Sequence, residues 1–398
     1  MFTPEIEPII PSDSAISHSE LPSLALELER KSAALGGALA EETARLITDS
    51  LRVINSYYSN LIEGHDTELA DIREAMSGNF SDDTAKRNKQ LESVAHIQVQ
   101  QLLDENPPSR EEIVNREFIK KIHCEFYERS PHQFRILQDG SIMEPGVFRD
   151  REVTVGEHLA PAPDRIDALI SRFEQAFSFA RVRHYPVIAA MAAHHRLLWI
   201  HPFSDGNGRT GRLFTDAMLK AHGVGGVGVW CLSRGLARST QQAQGSYKYH
   251  MMRADQPRKG DTDGRGALSE SEFITFIQFM IKTAIDQVDF MQKVTEPLGA
   301  RTRIDKYIAA RNNGQIIDLP PIKPEASRLL KIAYIEGQVQ RSQMEELTGY
   351  KSTAARKLVQ QMKAEGLLTE TSSRSPLKLG LPAHFEAYIL PGIGPTVP

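Results

Sequence analysis

A mainly α-helical, multidomain protein is predicted by three features of the 398-residue chain. Almost every long segment has helical rather than alternating apolar periodicity, very few β-branched runs stand between turn signals, and Pro- or Gly-rich joins separate the periodic stretches. A chain of this length exceeds what one hydrophobic core usually organises, which favours two or three domains. Hydrophobic residues at 40% and charged residues at 25% are ordinary globular usage and argue against wholesale disorder, collagen-like repeats or a multi-span membrane protein. Lys plus Arg 47 against Asp plus Glu 51 gives a net charge of -4, so nothing pulls the whole molecule toward nucleic acid or anionic membrane. Any anion it binds must be gripped locally.

The elements follow in order. After a Pro-rich tail, Leu21 to Gly37 and Ala40 to Glu63 read as helices, the second with Ile47, Leu51, Ile54 and Tyr58 on one stripe and Gly64 as its stop. Helices are expected near Glu68 to Met76, Ala85 to Leu103 and Arg110 to Glu128, with Ser109 as a cap. Together they form an N-terminal helical region over residues 1–109 and open a core assigned to 110–295. Glu152 to Val155, followed by Gly156-Glu157, reads as a strand entering a turn, the one credible hairpin of the chain. Helical pattern resumes from Pro163 to Arg181 and from Pro186 to Ile200, where Val187 to Ala193 is apolar all round and belongs in the core. Arg253 to Gly266 reads as a surface loop. A helix and linker occupy 296–324, ending in a Pro-rich join. Residues 325–398 then run helix (Glu325 to Glu336), helix (Ser342 to Leu347), turn at Gly349, helix (Ser352 to Glu365) and two wing strands (Leu367 to Thr371, Pro376 to Leu381), an order that resembles a winged helix-turn-helix.

Cys124 and Cys231 lie far apart without metal-type spacing and read as buried small hydrophobes in a reducing compartment. The N-terminal MFTPEIEPIIPSDSAISHSE has neither the basic start nor the apolar run of a signal peptide, and no apolar stretch reaches spanning length. A cytoplasmic protein with no membrane partner is expected.

The densest signal is His201-Pro202-Phe203-Ser204-Asp205-Gly206-Asn207-Gly208-Arg209-Thr210-Gly211-Arg212, a Gly-rich turn between two helices. Gly206 and Gly208 let backbone approach a ligand closely, and the following helix aims unpaired N–H groups and its positive dipole end at whatever sits there. Arg209 and Arg212, three apart, set two guanidinium forks beside that nest, a grip suited to the phosphates of a nucleotide. Asp205 is the odd carboxylate among cations, and a hard divalent ion such as Mg²⁺ bound beside phosphates explains it. His201, at the mouth of the loop, has the type and ordinary pKa of a general base for a hydroxyl nucleophile.

The string resembles, without a gap, the signature of the Fic (Fido) family, His-Pro-Phe-x-Asp/Glu-Gly-Asn-Gly-Arg-x-x-Arg, and the likeness extends over roughly residues 20 to 290. The resemblance implies a Fic-type helical core with a β-hairpin flap and an enzyme that moves AMP from ATP to a hydroxyl side chain of a target protein, releasing pyrophosphate. On matching positions it makes His201 the base and Asp205 the ligand of Mg²⁺ or Mn²⁺. Gly206, Asn207, Gly208, Arg209 and Gly211 form the phosphate site, Arg212 grips the γ-phosphate, and Phe203 anchors the loop. It makes the hairpin, Val153, Thr154, Val155, Gly156, Glu157, His158 and Leu159, a flap that takes the target segment as an added strand. Tyr247 falls where relatives often carry an aromatic near adenine, and an ordinary core tyrosine is an equal reading of it.

Upstream, Ser59-Asn60-Leu61-Ile62-Glu63-Gly64 fits the family's inhibitory pattern, Ser/Thr-x-x-x-Glu-Gly/Asn. By itself it is a helical end closed by glycine. With the loop, the resemblance implies that Glu63 pairs with Arg212 and competes with phosphate for that guanidinium, holding the enzyme in check. Removal of AMP from a modified target is the alternative direction, and a nucleotide-sensing, DNA-binding transcriptional regulator is the alternative class. Ser352 to Glu365 would then be the recognition helix, with Arg356, Lys357 and Lys363 toward phosphate. Residues 321–398 carry 10 Lys or Arg against 7 Asp or Glu, a modest surplus for a DNA reader, so protein docking stands beside DNA binding. Self-modification and a homodimer are also left open.

Overall fold

The structure is a computed structural model that describes residues 3–239 and 245–395. It divides into two compact units, Met1–Ala33 with Arg52–Gln287, and Ala34–Leu51 with Val288–Pro398. Helices dominate both, and the described strands are short: one two-stranded and one three-stranded antiparallel sheet.

In the first unit the axis of the fold is the helix Pro186–Ile200, started by a proline whose missing N–H is harmless at that position and buried at every residue from Val187 onward. It packs against Ile166–Phe177 and Asn207–Ala221, with Phe173 and Phe214 rings 5.9 Å apart across the layer. Helices Thr84–Glu105 and Arg116–Arg129 form a neighbouring layer, and the end of the helix Glu41–Ile62 lies along the first of them through Ser56 Oγ to Ser93 O (3.0 Å) and Arg52 to Asp104 (2.7 Å). Helix bounds agree with the periodicity to within a few residues, with two corrections. The helix expected from Arg110 starts only at Arg116, because Ile113 and Val114 turn inward, 0% and 2% exposed, and Asn115 is extended. The helix expected over Pro163 to Arg181 is a short 3-10 turn followed by Ile166–Phe177 and Phe179–Val182, interrupted at extended Ser178.

The N-terminal segment is no tail. Ile6 and Ile9 are buried, Glu7 pairs with Arg172 (2.6 Å), and Pro8 O accepts from the buried guanidinium of Arg196 (2.7 Å). Likewise Cys231 is buried but Cys124 only half-buried; both thiols are free. No described helix is long and apolar enough to cross a membrane.

The hairpin is shorter than the sequence suggests: Thr154–Val155 pairs with His158–Leu159 in the register Thr154 to Leu159 and Val155 to His158, closed by Gly156 at φ 60°. Glu152 and Val153 precede it as irregular chain, with Ala160 N–H donating to Val153 O (3.1 Å).

In the second unit Ala326–Glu336, Met344–Thr348 and Ser352–Ala364 are helices, and Gln338–Val339, Leu377–Leu379 and Leu368–Thr369 pair in that order. The strand Gln338–Val339 and a final helix, Ala383–Ile389, are additions to the sequence reading. Residues 34–51 group with this unit: Thr43 Oγ1 donates to Tyr334 O (2.8 Å) and Lys378 pairs with Glu42 (2.5 Å). Arg356 and Lys357 are exposed, whereas Lys363 is paired with Glu370.

Candidate functional site

His201 closes the helix Pro186–Ile200 in the left-handed region, φ 50°, a conformation uncommon for a non-glycine residue. Its N–H still donates to Leu197 O (3.1 Å), and Arg149 Nε donates to its carbonyl (2.7 Å). Nδ1 lies 3.2 Å from Leu198 O. A carbonyl only accepts, so Nδ1 carries the proton and Nε2 presents a lone pair. Burial pushes the imidazole down to about 4, so it is neutral at physiological pH.

From His201 the chain turns through Pro202 to Gly206 and enters the helix Asn207–Ala221. Phe203 is fully buried and stacks on His123 at 3.9 Å and 11°. The Asn207 side chain accepts from Phe203 N–H (2.9 Å) and donates to Phe203 O (2.8 Å), closing the turn on itself. What Asn207 offers a ligand is therefore its backbone N–H. No side chain caps this helix, which leaves its first N–H groups to answer an anion. Gly206 is required twice, by φ 75° and because a Cβ there would lie 2.6 Å from the Tyr127 ring. A Cβ on Gly208 would collide with Glu63 Oε1, which marks how closely that carboxylate approaches the nest.

Arg212 is 4% exposed, with Nε donating to Ser59 Oγ (2.9 Å) and NH2 to Ser59 O (3.0 Å) and Glu63 Oε1 (2.6 Å). Burial raises the Glu63 carboxyl, but the Arg212 and Arg209 guanidinia outweigh it and hold Glu63 ionised below its ordinary value. The Glu63 side chain remains 32% exposed. Arg209, by contrast, points into protein: NH1 pairs with buried Glu92, and NH2 reaches Tyr127 OH (3.2 Å) and Asp205 Oδ2 (3.4 Å). Only its Nε is buried without a hydrogen-bond partner. Tyr127 in turn donates to Asp205 Oδ2 (2.7 Å). Burial works against the Asp205 carboxylate, yet Arg209 and the Tyr127 hydroxyl keep its pKa below ordinary, and its side chain is 51% exposed. An ionised, half-open hard oxygen beside an anion nest fits a divalent cation whose remaining ligands are phosphate oxygens and water. Among the described residues no group of three or more His, Cys, Asp or Glu could hold a metal without such help.

Tyr247 is 4% exposed and hydrogen-bonds His194 Nε2 (2.7 Å). Thr215 Oγ1 donates to Gly211 O and so accepts from His194 Nδ1 (2.7 Å), which makes Tyr247 the donor at Nε2. The hydroxyl also feels the Arg212 guanidinium, and the residue is buried in the core. The hairpin residues Val155 and Leu159 are 46% and 66% exposed, while His158 turns inward to Trp199 O (2.8 Å).

Sequence reasoning missed Glu92, His65, His123, Tyr127 and Arg149. Glu92 also takes His65 Nδ1 (2.8 Å), and the fully buried His123 links Asp205 O (3.1 Å) to Gly146 N–H (2.9 Å). The available signal was position: His123 and Tyr127 share the inward stripe of Ile119, Ile122 and Phe126, and Glu92 sits among buried Ser93, Ala95 and His96. Polar groups on an apolar stripe need partners.

Residues 113–219 match the family model described as Fic/DOC family. The chain is 31% identical over 173 residues to the protein adenylyltransferase Fic of Aedes aegypti and 30% over 173 residues to that of Culex quinquefasciatus, covering 42% of this chain and 32% of each relative. It thus spans about a third of the length of these relatives. The fold is similar to a Fic family protein from Desulfovibrio desulfuricans, with TM-score 0.55 and 16% identity over 94% of this chain and 98% of that one. A Fic domain containing signaling protein from Bacteroides thetaiotaomicron gives TM-score 0.52 and 18% identity over 68% and 97%.

Proposed function

We propose that this chain, which carries a Fic/DOC family domain over residues 113–219, is a protein adenylyltransferase that transfers AMP from ATP to a hydroxyl of a target protein and is restrained by its own Glu63. The observation that carries the reading is the convergence, within one site, of a neutral His201 with a free Nε2, the helix N-terminus at Asn207 and an Arg212 engaged by a carboxylate.

The target hydroxyl oxygen attacks the α-phosphorus of ATP. The new O–P bond forms as the bond from that phosphorus to the bridging oxygen of pyrophosphate breaks, and the hydroxyl proton passes to His201 Nε2. The backbone N–H groups at Asn207, Gly208 and Arg209 stabilise phosphate oxygens, and Arg212 takes the γ-phosphate once Glu63 leaves it. Mg²⁺ or Mn²⁺, held by Asp205 with phosphate oxygens and water, would neutralise charge on the departing pyrophosphate. Arg209, tied to Glu92, Tyr127 and Asp205, contributes its backbone and its positive field more than a free fork. Tyr247 supports Arg212 and His194 in this reading rather than lying flat on a base. The two free thiols support a reducing, cytoplasmic setting. The order of elements in residues 325–395 supports a winged-helix module.

The test is automodification with ATP labelled on the α-phosphate. Glu63→Gly is expected to raise labelling, and His201→Ala in that background to abolish it. Binding of nucleotide without any label on Glu63→Gly protein would sink the transfer reading.

A further inference from the structure

We propose that Arg149 is a positioning residue that locks the hairpin and the base His201 into one register, so that a hydroxyl laid along the hairpin is delivered to His201 Nε2. The inference deepens the transfer reading above and rests on it.

Arg149 is 4% exposed, and its guanidinium is directed at carbonyls. Nε donates to His201 O (2.7 Å), NH2 to Ile200 O (3.4 Å) and Pro161 O (2.5 Å), and NH1 to Arg151 O (2.7 Å). Its backbone N–H donates to Pro202 O (2.9 Å). The acceptors fall into two sets. Ile200, His201 and Pro202 are the three residues where the buried helix turns into the loop, and Arg151 and Pro161 stand at the two feet of the hairpin. Burial holds the guanidinium below its ordinary pKa, with Glu152 acting in the opposite sense.

A buried cation whose hydrogen bonds all go to carbonyls is a costly way to satisfy backbone oxygens that neutral donors could serve. What the guanidinium alone supplies is a rigid planar fork that reaches acceptors on both sides at once. Both sides need that hold. His201 sits at φ 50°, a costly backbone conformation for a non-glycine residue that its surroundings must hold, and Arg149 holds it at the carbonyl. The hairpin has only two residue pairs, too few for a ribbon to keep its place alone. A second tie, His158 Nε2 to Trp199 O, joins the same hairpin to the same helix end, one residue before Ile200. A shift of either side relative to the other moves the nucleophile off the lone pair, and misplacement by about 1 Å costs on the order of a hundred-fold in rate.

The experiment uses the full chain with Glu63→Gly, with and without Arg149→Lys, since lysine keeps the charge but has a single donor centre. Three readouts are needed: ATP affinity, the rate of α-phosphate labelling at saturating ATP, and amide hydrogen exchange. The expected result is an ATP dissociation constant and KM within about two-fold of the parent and a labelling rate lower by about ten-fold or more. Exchange is expected to rise together in residues 151–161 and 200–203. ATP affinity falling in step with labelling, an unchanged labelling rate, or exchange rising in only one segment would each overturn the coupling. If the Glu63→Gly parent shows no labelling, the transfer reading fails, and the exchange data still decide whether Arg149 joins the two segments.

Discussion

Glu63→Gln is the sharpest perturbation of the site because it leaves the shape of the side chain and removes only its charge. A charge-assisted hydrogen bond contributes about 1.5–3 kcal/mol, roughly twice its neutral counterpart. The amide keeps an oxygen for Arg212 NH2 at the position now 2.6 Å away, and Ser59 keeps its two contacts, so only the ionic increment, about 1 kcal/mol, is lost. That loss has opposite signs in two measurements. Ligand-free protein should be less stable by about 1 kcal/mol in urea denaturation. A phosphate that needs Arg212 no longer competes with a carboxylate, so ATP with Mg²⁺ should bind roughly five-fold more tightly by calorimetry. A stability loss with unchanged or weaker ATP binding would refute the competition and leave Glu63 as a structural partner only.

Two further outcomes follow from the same site. Because burial lowers the folded-state pKa of His201 to about 4, the neutral base persists as pH falls and is lost only through that value. The acid limb of labelling by Glu63→Gly protein should therefore lie near pH 4, and a limb at the ordinary histidine value would contradict the placement of His201. Glu92→Gln removes the fully buried carboxylate held by Arg209 and His65, which should destabilise the protein by on the order of 3 kcal/mol in urea titrations. A cost below about 1 kcal/mol would mean that Asp205 and Tyr127 satisfy Arg209 without it.

The loop from His201 to Arg212 is readable as a unit because its chemistry is contiguous: the turn, the nest and the cations lie within one stretch of chain. The helices are readable because burial repeats along them at the helical period, as in Val187 to Ile200. What escapes such reading is pairing across long separations. Nothing local to Glu92 announces Arg209, and nothing local to Arg149 announces the carbonyls of His201 and Pro161, since each contact forms only when separate elements pack. Arg209 is the instructive case. Its spacing from Arg212 suggests twin forks on one ligand, yet the fold turns one inward to three protein oxygens and leaves the other beside Glu63. The N-terminal segment misleads for a related reason: prolines hide an Ile6 and Ile9 pair whose burial depends on partners far along the chain.

The double hydrogen bond from Asn207 to both backbone groups of Phe203 has a consequence for how this site can be governed. A side-chain amide there imitates a missing peptide neighbour and braces the turn before any nucleotide arrives. The conformational entropy of the loop is lost at folding, so ligand binding encounters a rigid receptor rather than one that must be ordered. Order and disorder of the loop are thereby removed as a means of control. On the proposed reading, control of such a preformed receptor would fall to what occupies it, and Glu63 on a neighbouring helix end already lies against Arg212.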